Sequence, residues 1–218
     1  MKRAILLALL CLLIGLGTAW ASPGEDFALG TVYLSTISPG VYTDPIDWCV
    51  QFGCLNDYTV YSTPQPFASA GGVTGLVGLV STMQGFYNLQ QGPTWFGNFP
   101  AGMGLVYNGA AFGNTPTSIA MTFDSAIYGL GAYVQYNYLL EPYTATLTLF
   151  DQNYLPISSI SLTDTVPFTT LWISLSDGSQ DVWAAQFDVN SAVPEPSSLL
   201  LLGTSALGLA GYLRRRLY

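Results

Sequence analysis

The chain is predicted to fold as an all-β domain, a β-sandwich of the jelly-roll kind, and three observations predict it. Short runs that alternate apolar and polar residues recur along the body, each bounded by Gly, Pro, Asn or Asp. Helical periodicity is hard to find between residues 22 and 193. Half of the 218 residues are hydrophobic and 8% are charged, so one sheet could not bury so many apolar faces and two must cover each other.

The elements follow in chain order. Lys2 and Arg3 precede an apolar run over residues 4–16, and then Ala19-Trp20-Ala21 supplies the small-x-small pattern that signal peptidase reads. Residues 1–21 are therefore expected to be a secretory signal peptide, cut after Ala21. As an uncut anchor the apolar run is short, because a span needs roughly 20 residues. Cys11 does not make a lipoprotein site, since Leu10 precedes it where a small residue is required.

Residues 22–192 form the ectodomain, of a size for one core. Within it, 118–123 sets Ile119, Met121 and Phe123 on one face, and 143–149 alternates Tyr143, Ala145, Leu147 and Leu149 with Thr144, Thr146 and Thr148. Residues 182–189 are expected to point Trp183, Ala185, Phe187 and Val189 one way and Gln186 and Asp188 the other. Further strands are expected over 31–37, 58–61, 73–80, 127–136, 157–162 and 171–175. Gly129 and Gly131 inside one of them predict a bulge or a close backbone approach. Residues 62–72, rich in Pro, Ser and Gly, read as a long loop. No internal repeat stands out.

Charge is distributed unusually. The chain carries a formal net charge of −8 and no histidine, and no Lys or Arg lies between Arg3 and Arg214. The acids of the body thus have no side-chain cation to pair with, and each must be solvated, hydrogen-bonded to backbone or hydroxyl donors, or bound to a metal ion. Nucleic acid is excluded as a partner, because displacing phosphate counterions needs Lys and Arg.

Calcium suits unpaired Asp on the loops of a secreted β-protein. Asp44, Asp47 and Asp57 gather around a cysteine loop, and Asp177 and Asp181 flank a turn. Solvated turn residues are the alternative reading of the same five positions, since Asp is favoured in turns. No other cofactor is implied. Cys49 and Cys54, in WCVQFGC, are the two cysteines left after signal cleavage, and oxidising conditions outside the cytoplasm favour a disulfide between them.

The residue types that usually run catalysis at neutral pH are histidine, lysine, a free cysteine or a metal, and the body lacks the first two. A Ser-His-Asp or Cys-His site cannot be assembled. Carboxylate chemistry of the glycosidase kind would need two acids facing each other across a cleft. The expectation is a non-catalytic protein.

Aromatic residues are plentiful, and sugars stack on aromatic faces. Trp183 and Trp172 sit in apolar strand runs and are expected in the core, whereas Trp95 lies in the Gly- and Pro-rich loop QGPTWFGNFPAG, where it either contacts a ligand or anchors the loop.

The C-terminus reads VPEPSSLLLLGTSALGLAGYLRRRLY. Residues 197–213 are uncharged, about 25 Å of helix at 1.5 Å per residue, the short end of a membrane span. Arg214, Arg215 and Arg216 follow and, by the positive-inside rule, stay cytoplasmic while the body lies outside. The order of Pro194, Glu195 and Pro196, an apolar helix and a terminal basic cluster closely resembles the PEP-CTERM protein-sorting signal of Gram-negative bacteria, covering residues 193–218. That resemblance implies export, anchoring in the inner membrane through the helix, and recognition by exosortase, a membrane transpeptidase-like enzyme, with delivery to the cell surface or beyond. Processing would remove the peptide after Ser198. Bearers of the signal often occur where exopolysaccharide and biofilm are made, which makes exopolysaccharide a candidate partner and a structural or adhesive matrix role the expected function. The body also resembles a recurrent PEP-CTERM ectodomain of unknown function, through Ile46-Asp47-Trp48, Trp95-Phe96-Gly97-Asn98-Phe99-Pro100-Ala101-Gly102 and Tyr128-Gly129-Leu130-Gly131-Ala132. That likeness implies a β-sandwich and no established ligand; a carbohydrate-binding module is the alternative function.

Overall fold

The structure is a computed structural model, and it describes residues 27–53, 59–61, 64–79, 86–91, 98–108, 118–136, 142–166 and 169–191. The described strands are β1 (Phe27–Ser35), β2 (Asp44–Ile46), β3 (Thr59–Tyr61), β4 (Gln65–Ala68), β5 (Thr74–Leu79), β6 (Phe86–Gln90) and β7 (Gly104–Tyr107). They continue with β8 (Ile119–Ile127), β9 (Gly129–Tyr136), β10 (Tyr143–Phe150), β11 (Pro156–Asp164), β12 (Leu171–Ser176) and β13 (Val182–Ser191), while one short helix, α1 (Trp48–Phe52), follows β2.

Two sheets result, and every pairing is antiparallel. Sheet A runs β12-β9-β1-β7-β6-β3, with β2 alongside β1; sheet B runs β11-β10-β13-β8-β5-β4. In β1, residues 28 and 29 pair with β7 while residues 32–34 pair with β2, so one edge of the strand is shared between two neighbours. One hydrophobic cluster draws on both sheets: Leu29 and Val32 of β1 and Leu130 of β9 join Met121 of β8, Leu147 of β10 and Phe187 of β13.

Alternation accounts for which side chains turn inward. In β8 Ile119, Met121 and Phe123 are buried, and in β10 Tyr143, Ala145, Leu147 and Leu149 are buried between half-buried neighbours, as the period of two requires. Tyr143 also joins the sheets. Its phenol, on β10, donates to the Val134 carbonyl of β9 at 3.0 Å. Burial raises its pKa well above the usual tyrosine range, and the nearby Asp164 carboxylate pushes the same way.

Helix α1 closes one end. The Asp47 carboxylate accepts from the Cys49 backbone N–H at 2.9 Å and caps the helix, and Trp48 is fully buried with its indole N–H donating to the Gly30 carbonyl at 2.8 Å. The Trp48 ring stacks at 5° on Phe52, 6.0 Å away between centroids. Gly104 lets the helix approach β7, because a Cβ there would lie 2.4 Å from the Cys49 nitrogen. Gln51 ties the helix to sheet B by donating to the Ala68 carbonyl at 2.8 Å and accepting from the Ala68 N–H at 2.9 Å.

Several expectations are corrected. The 62–72 stretch is not one loop: it holds β4, which forms a hairpin with β5 around a turn at residues 69–73. Trp183 is half-buried and takes no place in the core; pairing shifts register between Val182 and Ala184, and Val182 fills the interior position. Trp172 is likewise half-buried, on the face of β12 opposite Ile173. At Gly129 and Gly131, by contrast, one of the two expected readings holds: their pairings with β12 run without a register shift, and a Cβ at either would collide with β12, so they mark close approach.

Candidate functional site

On the outer face of sheet A, three neighbouring strands bring aromatic side chains together. Trp172 of β12 stands opposite Tyr133 of β9, Ser174 stands opposite Gly131, and Gly131 faces Tyr33 of β1 on its other side. The glycine is the reason the group can form. A Cβ at position 131 would lie 2.6 Å from the Trp172 ring and 2.7 Å from the Ser174 Cβ. Without that Cβ the indole lies down across β9 and reaches β1.

Tyr42 completes the group from the β1–β2 connection. That connection is pinned, since the Thr43 N–H donates to the Leu34 carbonyl at 3.2 Å and the Ser35 hydroxyl donates to the Ser38 carbonyl at 2.6 Å. The indole contacts all three phenols, with ring centroids 4.9 Å away for Tyr133, 5.9 Å for Tyr33 and 6.2 Å for Tyr42. Interplanar angles are 59°, 62° and 75°, so none of the three rings lies parallel on the indole. Together the four residues line a shallow depression of about 270 Å³, open to solvent. Each is half-buried, and among the described residues no charged side chain lines it.

The other half of this outer face is covered. Phe99 and Met103 pack with Tyr87, Leu89, Leu105 and Tyr107 in a second hydrophobic cluster, and the Asn98 N–H donates to the Gln135 side chain at 2.8 Å. Tyr133 packs against this cluster as well as against Trp172, so the depression begins where the cover ends.

The described acids among those singled out from the sequence have hydrogen-bond partners within the chain. Asp44 is buried and accepts from the Ser69 hydroxyl and the Gly71 N–H, each at 2.5 Å, holding the 69–73 turn. Asp47 caps α1. Asp177 and Asp181 both accept from the Ser179 hydroxyl, at 3.0 Å each, inside the turn between β12 and β13. Asp124, Asp151, Asp164 and Asp188 accept from hydroxyl, backbone or amide donors in the same way. Each described carboxylate thus accepts at least one hydrogen bond in place of a cation, although Oδ1 of Asp181 is buried without a partner among the described residues. Among the described residues no three metal-binding side chains converge.

Cys49 sits in α1 with its Sγ 3.6 Å from the Gly102 carbonyl oxygen. Its expected partner Cys54 lies outside the described residues, as do Asp57, Trp95, Ala19, Ala21, Pro194, Glu195, Pro196, Arg214, Arg215 and Arg216. No helix among the described residues is long and apolar enough to cross a membrane, and the span expected over 197–213 lies outside them. Sequence reasoning missed Tyr33, Tyr42, Tyr133 and Trp172 as a group. The available signal was the period of two in 171–175, which sets Trp172 opposite Leu171, Ile173 and Leu175, together with glycines at 129 and 131 on the strand beside it.

Comparison with known proteins adds one match. The family model of the PEP-CTERM protein-sorting motif matches residues 192–216. No curated protein and no solved structure matches the chain. The C-terminus of this chain is therefore a PEP-CTERM sorting motif, the mark of an exosortase substrate.

Proposed function

We propose that this exosortase substrate is a non-catalytic surface or matrix protein with a structural or adhesive role, its ectodomain a β-sandwich of the jelly-roll kind. The motif match at residues 192–216 carries the reading. The signal peptide sends the body across the inner membrane, the C-terminal helix holds it there, and exosortase acts at the segment around Pro194, Glu195 and Pro196. Prolines keep that segment extended and helix-free outside the bilayer, where a protease binds a strand. The sandwich reading is supported by one hydrophobic cluster that takes side chains from both sheets. The non-catalytic reading is supported by a body without His, Lys or Arg whose described carboxylates each accept at least one hydrogen bond from within the chain.

Export also favours a Cys49–Cys54 disulfide, worth on the order of 2 kcal/mol for so small a ring. Alkylation of these cysteines only after reduction would support it. The test of the main reading is intact mass. Protein from normal cells is expected to lack the hydrophobic peptide C-terminal to the Pro194-Glu195-Pro196 motif and to retain it in cells without exosortase. An intact tail in normal cells would leave a plain membrane anchor. A second reading, carbohydrate binding, is favoured by the open aromatic depression on sheet A.

A further inference from the structure

We propose that the depression lined by Tyr33, Tyr42, Tyr133 and Trp172 binds neutral glycans, with Trp172 as the stacking platform and the tyrosine hydroxyls as its polar rim. This names a ligand class for the adhesive role and rests on the reading of the chain as an exported surface protein.

The surface has two chemical properties at once. Its area is aromatic, and among the described residues no ring is stacked parallel on the indole, whose three neighbours lie at 59°, 62° and 75° to it. Its polar atoms, three phenol hydroxyls and one indole N–H, have no hydrogen-bond partner among the described residues, whereas the buried Trp48 indole and Tyr143 phenol each donate to a carbonyl. A ligand that fits must offer C–H surface to the negative ring faces and hydrogen-bonding groups around its edge. A pyranose ring has both, with C–H groups on its faces and hydroxyls on its rim.

Other ligand classes fit less well. An anionic ligand would meet no cation, because none lies between Arg3 and Arg214, and the net charge is −8. A purely apolar ligand would cover four polar groups without pairing them. A quaternary ammonium ion suits aromatic rings and an acidic protein, but it needs a box with space between the walls. Here Tyr133 and Trp172 touch at 4.9 Å, so the rings form a surface rather than a box. The openness of the depression suits a polymer chain lying across it.

The platform is also preorganised. Tyr33, Tyr133 and Trp172 stand on three hydrogen-bonded strands, and Tyr42 is held by the pinned connection. Little ordering is left for the moment of binding.

The test uses the full-length chain in a sugar-free zwitterionic detergent, titrated with cellohexaose, mannohexaose and xylohexaose by calorimetry. Saturable binding to at least one of them is expected. Trp172→Ala should weaken it about tenfold or more and Tyr133→Phe about threefold, the scale of one lost stacking contact and one lost hydrogen bond. Trp183→Ala, on the other sheet, should leave it unchanged. A measurement on the unaltered chain removes dependence on folding of the variants: bound sugar should protect Trp172 from N-bromosuccinimide oxidation, read by peptide mapping. Four results would overturn the proposal: no binding of any of the three sugars, binding undiminished in Trp172→Ala, Trp172 oxidised equally with and without sugar, or tetramethylammonium displacing the sugar from the site. Dissociation of a dimer by Trp172→Ala would also overturn it, by showing that a second copy covers the face. Tail processing is read by mass and glycan binding by titration, so either idea can fail while the other stands.

Discussion

The two sheets bury the same kind of side chain inward and present opposite chemistry outward. On sheet B, β10 and β11 form a ladder of hydroxyl pairs, with Thr144 to Thr163 at 2.8 Å, Thr146 to Ser161 at 2.8 Å and Thr148 to Ser159 at 3.1 Å. Each hydroxyl there already has a partner, and the surface is self-satisfied. On sheet A, glycine replaces the side chain at 131, the Trp172 ring lies over it, and four aromatic residues line an open depression. Inward faces therefore decide the fold, and the outward faces can diverge because either set of residues leaves the core pattern intact.

Trp48→Ala strikes what the two faces share and should have the largest effect. Truncating a fully buried Trp costs about 3–5 kcal/mol, and the Gly30 carbonyl loses its donor as well. Denaturant unfolding should report that loss as one transition for both sheets. Two separated transitions would mean that the sheets do not share a core.

Gly131→Ala tests the face of sheet A alone. The new methyl must displace the Trp172 ring or the β12 backbone, at about 1–3 kcal/mol, and near-ultraviolet circular dichroism should change as the indole moves. An unchanged spectrum would show that the hollow over Gly131 does not set the ring position.

Tyr143→Phe loosens the tie between the sheets by about 1 kcal/mol near neutral pH through its lost hydrogen bond. The folded pKa lies above the ordinary value near 10, so the contribution of this phenol is complete below pH 10 and declines as pH rises further. Wild type and Tyr143→Phe should therefore converge in stability under alkaline conditions, as followed by urea midpoints across that range. A gap constant with pH would refute the burial argument. The smallest effect is expected on the hydroxyl face, where Thr146→Ala should change stability by no more than about 0.5 kcal/mol and leave glycan binding untouched.

Legibility in the sequence tracks how many faces of a strand are covered. β8 and β10 were readable because one face is buried and the other is not, so apolar residues alternate. β7 has all four residues buried and β6 has four of five, because the core covers one side and the cluster around Phe99 covers the other. Such strands lose alternation, and neither was anticipated. β4 was hidden by its composition, with Pro66 on an edge strand beside a tight turn. Trp183 was misplaced because a register shift interrupts the period of two, and Trp172 because its apolar neighbours in sequence face the other way. The roles of the acids were legible as a class, through the absence of cations, whereas donors distant in sequence, such as Ser69 and Gly71 for Asp44 and Thr74 for Asp124, depend on the fold.

Strand β1 has a consequence for the order in which the body assembles. It lies in the middle of sheet A, with Phe27 opposite Tyr136 and Ala28 opposite Tyr107, yet it is the first described strand in the chain. During export β2 would follow it closely and pair with residues 32–34, whereas β7 and β9 emerge much later. Its first residues, Phe27, Ala28 and Leu29, must wait unpaired for the length of chain that separates them from β7 and β9, which makes closure of sheet A a slow, late event. A helper that shields that strand, or a rate of export matched to its waiting time, would govern the yield of folded protein more than the stability of the finished sheet does.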